Sequence, residues 1–164
     1  MSNPASADLW YTRSFTGKLY VRKDATLIPT RQHAYGADPD RPTYEQAYSN
    51  DGWLRMGGSE PTVSLACSYL SKGPDGLRFT ISGCDEDSER KLGVSRNGYL
   101  GFYKVAAVTD PWLIEPVTVD GDVLVCRLKD HRGHVVKAEL GTSDQYLNVE
   151  TGTSLEFAII YAPD

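Results

Sequence analysis

Apolar and polar positions alternate along this chain in short runs, and no stretch sustains apolar residues at helical spacing over three turns. Segments rich in Val, Ile, Tyr, Phe and Thr are bounded by Asp51-Gly52, Gly73-Pro74 and Asn97-Gly98, a pattern that predicts strands and turns from one end to the other. Asp51-Gly52 and Asn97-Gly98 supply the positive backbone dihedrals that a two-residue hairpin of the primed type needs. Gly73-Pro74-Asp75-Gly76 and Asp130-His131-Arg132-Gly133 read as further turns.

One pattern recurs. Asp51-Gly52-Trp53-Leu54-Arg55-Met56, Asn97-Gly98-Tyr99-Leu100-Gly101-Phe102 and Asp144-Gln145-Tyr146-Leu147-Asn148-Val149 each consist of a polar pair, an aromatic, a leucine, a variable residue and an apolar residue. Their aromatics stand 46 and 47 residues apart, the spacing of a repeated supersecondary unit. An apolar run follows each aromatic, containing Leu65, Trp112 and Phe157 in turn, and a glycine-led strand precedes it, beginning at Gly17, Gly76 and Gly121. Three copies of about four short strands, at 15–73, 74–119 and 120–164, account for almost the whole chain, with residues 1–14 leading in.

Three four-stranded units with a recurring aromatic hairpin resemble the β-trefoil family. The resemblance rests on Trp53-Leu54, Tyr99-Leu100 and Tyr146-Leu147 at the third-strand position and on Leu65, Trp112 and Phe157 at the fourth. It implies an all-β fold in which six strands form a short barrel and six cap one end. It also implies that the repeated aromatics and leucines point into one shared core, so Trp53, Trp112, Tyr99 and Tyr146 are expected to be packing residues before sugar platforms.

At 164 residues the chain has material for one sizeable core, and an apolar fraction of 40% is too high for disorder. No apolar stretch approaches the length needed to cross a bilayer as a helix. Met1 to Ala7 lack the basic and long apolar regions of a signal peptide, which gives the expectation of a cytoplasmic protein or one released without a leader. The odd number of cysteines points the same way: Cys67 and Cys126 read as small core residues, and Cys84 as the exposed one. A net charge of −5, with Lys and Arg scattered, argues against nucleic acid as a partner.

The chemistry of catalysis finds little footing. There is no Gly-x-Ser-x-Gly elbow, phosphate loop or His-Glu-x-x-His. His131 and His134 flank a turn without a cysteine or carboxylate motif, and Asp85-Glu86-Asp87-Ser88-Glu89 lacks the spaced ligands of a calcium loop, so no metal or cofactor is expected. The expectation is a non-catalytic binding protein whose partner is a glycan or a protein surface.

Trefoil lectins use shallow pockets near the hairpins, and the resemblance implies Asn97, Tyr103 and Asp110 in the second copy and Asn148 and Glu150 in the third as ligand contacts. The Gln-x-Trp signature of ricin-type lectins is missing, since Asp110-Pro111-Trp112 and Leu155-Glu156-Phe157 stand in its place. A second expectation comes from the first copy, where 36 residues separate the leading glycine from the aromatic, against 23 and 25 in the others. The surplus is placed between the first two strands, within residues 30–44, and its Arg31, His33, Tyr35, Asp40, Arg41 and Tyr44 have the composition of a partner loop. Trefoil protease inhibitors act through such loops, and a toxin-associated or cytoskeletal interaction domain is a third expectation.

Overall fold

Strand β1 (Phe15–Lys23) buries Phe15, Gly17, Leu19 and Val21 and turns the residues between them toward solvent, the period of two that a half-buried strand requires. The computed structural model describes residues 9–32, 53–58, 60–85, 88–104, 111–140 and 145–163. Within them the chain is all-β, with twelve strands and a 3-10 turn at Trp10–Thr12.

Six strands close into an antiparallel ring. β1 pairs on one side with β4 (Ser64–Gly73) and on the other with β12 (Glu156–Tyr161). β12 pairs with β9 (Val123–Lys129), β9 with β8 (Trp112–Asp120), β8 with β5 (Gly76–Ser82), and β5 returns to β4. Closure leaves no strand edge unpaired along the ring. Inside it Leu19, Leu65, Phe79, Ile81, Trp112, Ile114, Leu124, Leu128 and Phe157 are fully buried.

The remaining strands are β2 (Thr26–Gln32), β3 (Leu54–Met56), β6 (Lys91–Val94), β7 (Leu100–Tyr103), β10 (Lys137–Ala138) and β11 (Thr153–Ser154), paired in that order two by two. They grow from ring strands: β2 pairs with β1, Ser82 of β5 with Lys91, and Lys129 of β9 with Val135. Backbone hydrogen bonds then tie three segments to one another, from the Leu147 amide to the Leu54 carbonyl (2.9 Å), from Leu100 to Leu147 (2.9 Å) and from Val149 to Gly98 (3.0 Å). Leu54, Leu100 and Leu147 are each inaccessible to solvent and join the barrel core.

The turns β4–β5 and β8–β9 lie at the other end of the ring, which Trp10 covers. Its indole stacks on Tyr161 at 5.0 Å, meets Phe15 edge-on at 5.0 Å and donates from Nε1 to the Gly121 carbonyl at 3.0 Å. The core therefore begins before residue 15, within the segment that the sequence reading treats as a lead-in.

Three further expectations change. The tight turn after β1 falls at Asp24, whose φ is +56°, so Thr30–Gln32 belong to β2 and pair with β3. The surplus length of the first copy thus lies between the second and third strands, not between the first and second. Gly17 sits inside β1 rather than at its head, where a Cβ would come within 2.6 Å of the Ile159 side chain. Asn97-Gly98 is not a two-residue turn: the Gly98 amide donates to the Ser95 carbonyl, the Ser95 amide donates to Tyr99, and only Gly98 has a positive φ. That is a three-residue loop closed by a glycine bulge, which uses one left-handed residue instead of two.

Cys67 and Cys126 are buried, Cys84 is half-buried, none of the three is in a disulfide, and burial pushes the first two well above the ordinary thiol range. In place of apolar packing, the β2 end of the barrel holds a polar knot. The Thr30 and Thr62 hydroxyls both donate to the Leu19 carbonyl, and Thr62 Oγ1 accepts the Thr30 amide at 2.8 Å. No helix among the described residues is long and apolar enough to cross a membrane.

Trp112 is fully buried and its Nε1 donates to the Leu92 carbonyl at 2.8 Å, joining a ring strand to β6. Replacing it with alanine leaves a large cavity and an orphaned carbonyl, so Trp112→Ala is expected to lower the unfolding free energy by about 3–5 kcal/mol in urea denaturation. A loss below about 1 kcal/mol would contradict the packing described.

Candidate functional site

Because side chains alternate across a strand, burial of Leu54, Leu100 and Leu147 forces the aromatic before each leucine to the opposite face. Trp53, Tyr99 and Tyr146 accordingly are half-buried, not core residues. They meet each other instead. Trp53 stacks on Tyr99 at 4.4 Å, and Tyr146 approaches them edge-on at 5.6 Å and 5.8 Å. The bridges Trp53–Gly101, Arg55–Tyr146 and Tyr99–Asn148 hold the three carriers together.

A polar hollow of about 160 Å³ opens beside this cluster, lined by Tyr99, Glu139, Tyr146, Asn148 and Thr151. Of the five ligand contacts expected from sequence, Asn148 alone lines it, and Asn97, Tyr103 and Glu150 lie on the neighbouring turns and strand. Asn148 lines the hollow, Glu150 packs over Gly98 next to Asn97, and the Tyr103 hydroxyl donates to the Tyr99 carbonyl at 3.1 Å. Gly98 has φ +91°, a backbone conformation that favours glycine, and the Glu150 side chain lies over it. Asp110 lies outside the described residues.

The four do not share one role. Asn148 is 6% exposed and its amide group is consumed by the backbone. Oδ1 accepts from the Glu150 amide (2.8 Å) and the Thr151 amide (2.7 Å), and Nδ2 donates to the Lys137 and Tyr146 carbonyls at 3.4 Å and 3.3 Å. It shapes the turn that presents its neighbours, an Asx turn. Asn97, Glu150 and Thr151 are exposed, and their side chains make no hydrogen bond or ion pair with a described residue. Those three, with the tyrosine rings, are the groups that a ligand would meet.

Glu139 and Thr151 are absent from the sequence reading. Their proximity depends on the two-residue pairing of β10 with β11, in which Lys137 faces Ser154 and Ala138 faces Thr153. A run this short has no periodicity to reveal its register.

Of the loop residues, Arg31 is in β2 opposite Arg55, while His33, Tyr35, Asp40, Arg41 and Tyr44 lie outside the described residues. The paired histidines serve a turn. Asp130 is 2% exposed, its Oδ1 accepts the Arg132 and His134 amides at 2.9 Å, and its Oδ2 lies 3.5 Å from His134 Nδ1. No group of three or more His, Cys, Asp or Glu side chains among the described residues is arranged to hold a metal ion. No known protein family matches this chain, and no curated protein matches it either.

The division of roles has a measurable consequence. Asn148→Ala orphans the Glu150 and Thr151 amides and removes a donor from the Tyr146 carbonyl, and is expected to reduce stability by about 1–3 kcal/mol. Glu150→Ala, which removes an exposed carboxylate, is expected to shift it by less than about 0.5 kcal/mol in the same urea titration.

Proposed function

We propose that this chain is a β-trefoil domain and that it acts as a non-catalytic carbohydrate-binding protein. The trefoil assignment is supported by a ring of six strands, three strand pairs joined at one end, and three recurring leucines with the same burial. Fold alone does not choose a ligand, so the functional reading rests on the site.

The observation that carries it is the outward cluster of Trp53, Tyr99 and Tyr146 beside a polar hollow lined by Glu139, Asn148 and Thr151, with Glu150 and Asn97 on the turns next to it. A sugar presents an apolar face of C–H groups and a periphery of hydroxyls. A tyrosine ring matches the first, and carboxylate, amide and hydroxyl side chains match the second as acceptors and donors. The hollow is smaller than the cavities that engulf drug-sized ligands, which suits one ring of a glycan resting at a shallow recess.

The test is a broad glycan array followed by titration of the class that binds. Glu150→Gln keeps the shape of an exposed side chain and removes its charge, and Tyr146→Ala removes the stacking ring. Each is expected to weaken binding about ten-fold or more, with the circular dichroism of the parent retained by Glu150→Gln. A folded protein that binds no glycan, or binding that survives both substitutions, would overturn the reading.

A further inference from the structure

The other end of the barrel carries a larger cavity that the glycan reading does not use. It measures about 430 Å³ and lies between the 3-10 turn, the β4–β5 turn and the bulged part of β8. Its volume is in the range of small-molecule sites, unlike that of the hollow beside Tyr146.

Its walls are built to keep their shape. Pro74 fixes one dihedral of the β4–β5 turn. Gly76 has φ +139°, and a Cβ there would stand 2.5 Å from the Ile114 carbonyl oxygen, so glycine alone lets the turn lie against β8. Leu77 is 3% exposed and anchored in the core, and Tyr11 packs edge-on against the buried Trp10 at 5.5 Å. Leu9 and Pro116 complete an apolar lining.

The charged residues of the lining differ in their partners. Asp75 lies 3.9 Å from Arg78, and Glu115 lies 3.5 Å from both Arg127 and Lys129. Lys72 makes no ion pair or hydrogen bond with a described residue. Among the described residues each carboxylate of the cavity thus has a cation within 4 Å, whereas the Lys72 ammonium, beside apolar walls, has no carboxylate. The Tyr11 hydroxyl likewise has no hydrogen-bond partner among the described residues.

We infer that this cavity binds a small aromatic carboxylate, with its ring against Leu9, Tyr11, Leu77 and Pro116 and its carboxylate at Lys72. The pairing places an anion where the protein supplies an unpaired cation, and a flat apolar body where it supplies proline, leucine and tyrosine surface. The preformed turn lowers the ordering cost of binding.

The test is an amide-resolved NMR titration of the full chain with hydrocinnamate and, separately, with its neutral analogue hydrocinnamide. Saturable shifts are expected at Leu9, Tyr11, Lys72 and Leu77, with the amide bound about ten-fold more weakly than the acid. Lys72→Met keeps the aliphatic stem and removes the charge; it should weaken the acid about ten-fold and leave the neutral amide unchanged. No saturable binding, equal affinity for acid and amide, or shifts centred on Tyr99 and Thr151 would each overturn the inference. So would a Lys72→Met variant that binds both probes as the parent does. Glycan binding is read out at different residues, so the two proposals stand or fall separately.

Discussion

Closing six strands into a ring removes their lateral edges but leaves two open ends, and each end exposes the core unless something covers it without stranding its own backbone polar groups. This chain meets that constraint differently at its two ends. At one, the Leu54, Leu100 and Leu147 side chains enter the core while their backbones bond to one another across three segments. At the other, a single 3-10 turn lays Trp10 over the ring and satisfies its indole with the Gly121 carbonyl.

Both proposed sites follow from those two solutions. Leucines that point inward compel Trp53, Tyr99 and Tyr146 to point outward, so the cover of the first end carries an aromatic cluster on its outer face. The exposed turns beside it supply polar groups held in place by Asn148, whose own amide is spent on the backbone. At the second end the 3-10 turn cannot fill the whole space above the bulged strands, and the cavity around Lys72 remains. In each case the surface available to a ligand is a by-product of covering the barrel.

The all-β class is legible in the chain, and so are residues that plug the barrel end. A leucine that must plug a barrel end recurs at Leu54, Leu100 and Leu147, and core residues recur at Leu65, Trp112 and Phe157; the spacing of these positions is visible without coordinates. What escaped was local. Asp24 makes a tight turn at positive φ without a glycine to signal it, which displaced the surplus residues by one strand. The aromatics cannot point inward with their leucines, because adjacent strand residues face opposite sides. Of the expected contacts Asn97, Tyr103, Asp110, Asn148 and Glu150, the four described ones lie on neighbouring segments, and Asp110 is outside the described residues. Sequence does not separate Asn148 from its neighbours, because a spent amide and an available one are the same letter, nor single out Lys72, whose distinction is the lack of a partner among the described residues.

The cover shares its core with the barrel through Leu54, Leu100 and Leu147, so the two should unfold as one cooperative structure, and native-state hydrogen exchange tests this most directly. The amides of Leu100, Leu147 and Val149 donate across the cover, and that of Phe157 lies in the ring. If the cover is integral, all four exchange only by global unfolding, with protection free energies that agree within about 1 kcal/mol. Cover amides that open more than about 3 kcal/mol below the ring would show a detachable lid and contradict the account.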